Sequence, residues 1–165
     1  MEERPKIKLE FTYSDLVLEV LGWFTIALLW ILTILNYTSL PESIPTHFNA
    51  SGQVDDYGNK GSILLLPALG TIIFAGILLL TRIPHIFNYP VTITEENAER
   101  QYRNAAMIMR YMKFVVVFTF LIIQYRTIET AEGIAKGLGM WFLPVTLGIT
   151  FIPLALFIGR AVRFK

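Results

Sequence analysis

Long apolar runs alternate with short polar connections along this chain, and the run lengths give the first clue to its architecture. Leu16 to Tyr37 is a 22-residue stretch with Glu19 as its only charge, Ser62 to Thr81 runs 20 residues without one, and Gly137 to Gly159 runs 23. A helix needs about 20 such residues to cross a hydrocarbon core roughly 30 Å thick. Buried helices of water-soluble domains are usually amphipathic and rarely run so far without a polar interruption. Each of the three runs is therefore predicted to span a membrane.

A fourth crossing is shorter. Phe114 to Tyr125 is uncharged for 12 residues, which a helix stretches over roughly 18 Å. It completes a span if Lys113 and Arg126 lie near the two interfaces and snorkel outward, with Arg110 below the membrane on the same helix. The alternative, a re-entrant or interfacial segment, leaves three spans. Basic residues decide between them. Arg4, Lys6 and Lys8 precede the first span. Arg82, Arg100, Arg103, Arg110 and Lys113 lie between the second and third, and Arg160, Arg163 and Lys165 follow the fourth. That is 11 of the 14 basic residues, leaving Lys60, Arg126 and Lys136 for the other two connections. The positive-inside rule then places both termini and the middle connection in the cytoplasm, an arrangement that needs an even number of spans.

The expected fold is an all-α membrane protein, a four-transmembrane-helix bundle forming a single membrane domain over residues 1–165. The spans fall near 16–37, 62–81, 111–128 and 137–159, with an outside loop at 38–61 and a cytoplasmic connection at 82–110. Composition agrees. Hydrophobic residues make up 54% and charged ones 16%, against about a quarter charged in a soluble domain, so the excess apolar surface must face lipid. The net charge of +1 gives no support to a nucleic-acid partner. Without cysteine, disulfides and thiolate chemistry are excluded. The first span follows a basic segment as a signal peptide does, but its core is too long and ends without a small-residue cleavage pattern, so it is read as a retained anchor.

In the middle connection, Thr92 with Glu95 has capping-box spacing, with Thr94 as the alternative cap. Glu96 with Arg100 and Glu99 with Arg103 are i,i+4 pairs, and Ala98, Tyr102, Ala105, Met109 and Met112 recur as one apolar helical face. A helix therefore leads into the third span as an extension of it. In the fourth span Pro144 and Pro153 predict kinks, and Gly148 between them predicts close approach of a neighbouring helix. Glu19 is placed in the cytoplasmic headgroup zone. A lone carboxylate there falls short of a proton relay or ion pathway.

The patterned connection is the first outside loop. Pro41 and Pro45 stiffen the exit from span one. Thr46 to Asn49 alternates like a strand, Ala50-Ser51-Gly52 has turn chemistry, and Gln53 to Tyr57 can return alongside it, with Tyr57-Gly58-Asn59 turning into span two. A small hairpin capping the bundle mouth is expected. His47, Asp55 and Asp56 bring an imidazole and two carboxylates together, which suits zinc or another divalent ion. His85 is placed on the opposite side and cannot share that ion. The reading favoured is structural: His47 and Asn49 bonding loop carbonyls, and Lys60 pairing with Asp55 or Asp56, so that the hairpin is pinned to the bundle without a cofactor. Catalysis lacks a constellation. Ser51 lies near His47, but no third residue is in place to orient the pair.

The run Pro45-Thr46-His47-Phe48-Asn49, followed by Gly52, Asp55, Tyr57, Gly58 and Lys60, resembles the signature of a bacterial membrane-domain family of unknown function. That family includes the membrane part of Sdp-type toxin-immunity and signalling proteins. The resemblance covers residues 45–60. It implies a protein of the bacterial cytoplasmic membrane, of immunity or sensor/receptor type, and with no catalytic constellation in the chain it is read as non-enzymatic. Such a protein would meet a ligand, a peptide or protein partner included, through Pro45, Thr46, His47, Asn49, Gly52, Asp55, Asp56, Tyr57, Gly58 and Lys60 of the outside loop. The alternative is a small metal-dependent membrane protein or enzyme using His47 with Asp55 and Asp56.

Overall fold

The computed structural model describes residues 4–163; Lys165, counted above in the basic tail, lies outside them. Helix α1 (Tyr13–Asn36) leads to a two-stranded antiparallel hairpin, β1 (Ser43–Phe48) and β2 (Val54–Asn59). A 3-10 turn (Lys60–Leu64) enters α2 (Leu65–Leu80). After an irregular connection come α3 (Ala98–Ala131) and α4 (Phe142–Arg163). Among the described residues, four helices are long and apolar enough to cross a membrane, the first, third and fourth as such and the second as Lys60–Leu80 with its 3-10 entry. Phe24, Leu35, Ile72, Phe151 and Leu156 are each about two-thirds exposed on their outer faces, a surface that water would not tolerate and lipid would.

Helix α3 is the axis of the bundle, packed against each of the other three helices. Its start is set by a reciprocal pair: Thr94 N–H donates to Asn97 Oδ1 at 2.9 Å and Asn97 N–H donates to Thr94 Oγ1 at 3.3 Å. Thr94, not Thr92, therefore makes the turn. The Glu99–Arg103 pair forms at 2.9 Å. In the connection before α3, the Tyr89 hydroxyl donates to Pro84 O, and burial pushes this phenol well above its ordinary range.

The buried face of α3 differs from the expected Ala98–Tyr102–Ala105–Met109–Met112 stripe. It runs through Ala98, Tyr102, Ala106, Arg110, Lys113, Val117, Gln124 and Ile128, with spacings of three, four and seven. On α1 the buried residues Asp15, Glu19, Gly22, Ile26, Leu29 and Thr33 recur every four or three positions. The two stripes face each other. Polar residues turn inward because lipid offers them no partners, whereas the facing helix does.

Two expectations for α4 change for backbone reasons. It begins at Phe142, five residues after the apolar run does, because residues 137–141 are spent on a loop with Gly137 at φ +125° and Gly139 at φ +85°. Pro144 consequently falls in the first turn, where a missing N–H breaks no helical bond. Pro153 does lie inside the helix. The carbonyl it cannot bond, Ile149 O, accepts a 2.6 Å hydrogen bond from the Tyr111 hydroxyl of α3. Gly148 meets nothing nearer than Ile152 of its own helix, so it does not mediate close helix packing.

Both described chain ends lie at one end of the bundle, with Arg103 Nη1 donating to Glu10 O and Gln101 Nε2 to Ala161 O. The hairpin and the 132–141 loop lie at the other end.

Candidate functional site

The expected hairpin forms but is longer: β1 starts at Ser43 rather than Thr46, and Tyr57-Gly58-Asn59, expected to turn into span two, pair with Pro45, Ile44 and Ser43 as the end of β2. Pro45 pairs with Tyr57, His47 with Asp56 and Phe48 with Val54, leaving Thr46 and Asp55 as extra residues at two irregularities. Such bulges re-aim side chains. Ile44 and Pro45 are both buried, Ile44 at 1% exposure, and the bulge after Pro45 lets His47 face outward with Asp55 and Asp56. Ile44 joins Leu40, Ile63 and Ile128 in the apolar cluster that seats the hairpin.

The turn is held by Asn49. Its Oδ1 accepts from the Ser51 and Gln53 amides at 2.9 and 3.1 Å, so it bonds loop N–H groups and not the carbonyls expected of it. Gly52, at φ +73°, brings its backbone against the 137–139 loop: Gly52 O accepts from Leu138 N at 2.8 Å and Gly139 N at 3.3 Å. A Cβ on Gly52 would fall 2.5 Å from Gly139 O, so no side chain fits. Gly58 passes Thr46 closely, and a Cβ there would sit 2.8 Å from the Thr46 methyl. The partner of this cross-loop contact is fixed in turn by Arg126, which donates to Gly137 O through Nε and Nη2 at 2.9 and 2.6 Å and to Glu129 through Nη1. Arg126 thus folds inward onto the loop and does not snorkel outward.

The charged residues of the hairpin pair differently from expectation. His47 Nδ1 lies 2.5 Å from Asp55 Oδ1, with the imidazole 67% exposed. Lys60 pairs with Glu42 at 2.6 Å, and not with Asp55 or Asp56, because the strand register sets Asn59 beside Ser43. Asp56 turns to the Thr46 hydroxyl, at 3.2 Å. His47 thus pairs with Asp55 while Asp56 turns away to Thr46, and among the described residues no three His, Cys, Asp or Glu side chains gather as a metal set. Ser51 makes no hydrogen bond to His47, whose Nδ1 is occupied by Asp55.

Beneath the hairpin lies a cavity of about 490 Å³ between β1, the start of α2, α3 and the 138–142 loop. Its wall is apolar, with Ile44, Phe48, Leu66, Leu138 and Phe142, and Thr46, His47, Gln124 and Thr127 supply polar points. Gln124 has a fixed orientation. Its Nε2 donates to Thr33 Oγ1 at 2.6 Å and to Ile63 O at 2.9 Å, while the Thr33 hydroxyl itself donates to Leu29 O. Both partners are acceptors, so the amide cannot be turned round.

A second polar centre lies nearer the opposite end and was missed in the sequence. Asp15 accepts from Arg110 Nη1 at 2.8 Å, Glu19 accepts from Lys113 Nζ at 2.5 Å, and Arg110 Nε lies 3.4 Å from Glu19 Oε1. Lys113 is fully buried, with Nζ 4.3 Å from the Phe74 ring centroid. Glu19 thus lies in the interface between α1 and α3, and Lys113 turns inward to it rather than snorkelling, with Arg110 turned inward beside it. The sequence carries a trace of it, acids at i,i+4 at the start of span one and bases at i,i+3 at the start of span three, but not that these two faces meet. Between this cluster and Gln124, α3 rises about 16 Å through a layer of Ile26, Leu29, Phe74 and Val117. A proton or ion would have to cross that apolar layer.

Residues 24–71, from α1 through the hairpin into α2, match the model of a domain of unknown function, DUF1648. Over 110 residues the chain is 33% identical to an uncharacterized protein of Archaeoglobus fulgidus, a match covering 62% of this chain and 60% of the relative. The chain thus spans less than two thirds of the relative it matches. No solved structure matches. The hairpin and the spans that flank it are therefore similar to a domain of unknown function, here carried by a mostly helical chain with the make-up of a multi-pass membrane protein.

Proposed function

We propose that this is a non-enzymatic protein of the bacterial cytoplasmic membrane, with both termini in the cytoplasm. Its outside hairpin recognises a cationic amphipathic peptide, in the manner of an immunity or receptor-type protein. The observation that carries the reading is a hairpin anchored on two sides over an apolar cavity, with exposed carboxylates on the hairpin itself. Loop 38–61 holds Glu42, Asp55 and Asp56 against Lys60, a net charge of −2 with His47 neutral, which draws cations to the hairpin. The apolar wall beneath suits the hydrophobic face of a short helix or an extended segment.

The test uses the full chain in detergent and two synthetic peptides with one apolar face, one bearing lysines and the other glutamates on the polar face. The cationic peptide should raise the thermal midpoint, and the rise should shrink in Asp55→Asn/Asp56→Asn. His47→Ala should alter the response to the peptide while leaving the basal midpoint nearly unchanged, because a polar pair this exposed contributes at most about 1 kcal/mol. Equal responses to both peptides, or none to either, would sink the proposal. Reporter fusions after residue 50 and at Lys165 should report opposite sides of the membrane, and agreement between them would overturn the orientation.

A further inference from the structure

At the end of the bundle opposite the hairpin, the segment before α1 folds across the exit of α2 and encloses a cavity of about 370 Å³. Ile7, Leu9, Phe11 and Leu78 give it an apolar wall. Lys8, Thr81, Arg82 and Arg110 give it polar groups. The charges are not equivalent. Arg110 is buried and already held by Asp15 and Glu19. Lys8 and Arg82 are exposed, and among the described residues neither has an ion pair. The final carbonyls of α2 are taken by its own closing turn, with Thr81 N–H on Ile77 O, Arg82 N–H on Leu79 O and Ile83 N–H on Leu80 O. They therefore compete little for the two cations.

We infer that this cavity is a binding site for the headgroup of an anionic glycerophospholipid. Lys8 and Arg82 hold the phosphodiester, and Leu78, Leu9 and Phe11 cover the glycerol and the first acyl carbons. Two unneutralised cations beside an apolar wall, where a span leaves the membrane, match the charge and amphipathic shape of a phospholipid. A free inorganic anion would use the cations and leave the apolar wall wet. The inference does not depend on the hairpin's ligand, because the two sites lie at opposite ends of the bundle.

Native mass spectrometry of the full chain, titrated with phosphatidylglycerol or phosphatidylcholine, reads the site directly. Phosphatidylglycerol should bind more tightly than phosphatidylcholine. Each cation near an anionic headgroup is worth about fivefold in affinity, so Lys8→Gln/Arg82→Gln should weaken phosphatidylglycerol binding roughly thirtyfold. Lys136→Gln/Arg163→Gln removes the same charge at exposed positions elsewhere and should leave it unchanged. Equal loss in both double variants, no loss in the first, or displacement of the lipid by millimolar sodium phosphate would overturn the assignment.

Discussion

Glu19→Leu is the substitution that most directly probes the charge cluster between α1 and α3. The wild-type cluster balances Asp15 and Glu19 against Arg110 and Lys113, each side chain at most 10% exposed. Removing Glu19 leaves fully buried Lys113 without its carboxylate and with only the face of Phe74 beside it. Breaking a buried pair by deleting one partner costs roughly 3–5 kcal/mol, and this deletion should fall in the upper half of that range. Lys113→Met should be milder, because Glu19 Oε1 keeps Arg110 Nε at 3.4 Å. Glu19→Leu/Lys113→Met leaves the Asp15–Arg110 pair intact and replaces the second pair by apolar packing. Such exchanges are often neutral, or stabilising by about 1–4 kcal/mol, so the double variant should return to within about 1 kcal/mol of wild type. The resulting coupling would be about 3 kcal/mol or more, near or above the top of the usual range for contacting residues. Reversible unfolding in mixed micelles, followed by tryptophan fluorescence, measures all four proteins. A Glu19→Leu protein as stable as wild type, or a double variant less stable than Glu19→Leu, would mean that these charges do not face one another.

Tyr111→Phe should weaken the seating of α4 by roughly 0.6 kcal/mol, the average for a hydrogen bond between membrane helices. The loss should be smaller in a Pro153→Ala background, where the substituted alanine supplies a backbone N–H to Ile149 O; a double-mutant cycle without coupling would refute the role given to Tyr111. Gly52→Ala should destabilise the hairpin by at least about 1–2 kcal/mol, the penalty of the left-handed backbone alone, with the clash against Gly139 added. Hydrogen exchange at the Leu138 and Gly139 amides should accelerate in that variant. Unchanged protection there would show that the contact between hairpin and loop does not depend on the glycine.

Local pattern alone was enough for the helical spans. Uninterrupted apolar runs long enough to cross a bilayer have few other stable forms, and Ser62 to Thr81 and Leu16 to Tyr37 became helices within a few residues of their expected limits. The hairpin was legible for a similar reason, since turn residues at 50–52 between alternating segments leave the chain little choice. Partners were not legible. A strand pattern does not encode bulges, and those at Thr46 and Asp55 decided that His47 meets Asp55 while Asp56 turns to Thr46. Lys60 found Glu42, eighteen residues earlier, because the strand ends were brought side by side. Lys113 read locally as a snorkelling residue with Arg110 below the membrane, which is how a single helix in lipid would place them. Only packing against the acidic face of α1 supplied Glu19 and Asp15, and a charge in a low-dielectric interior goes wherever its counter-charge is.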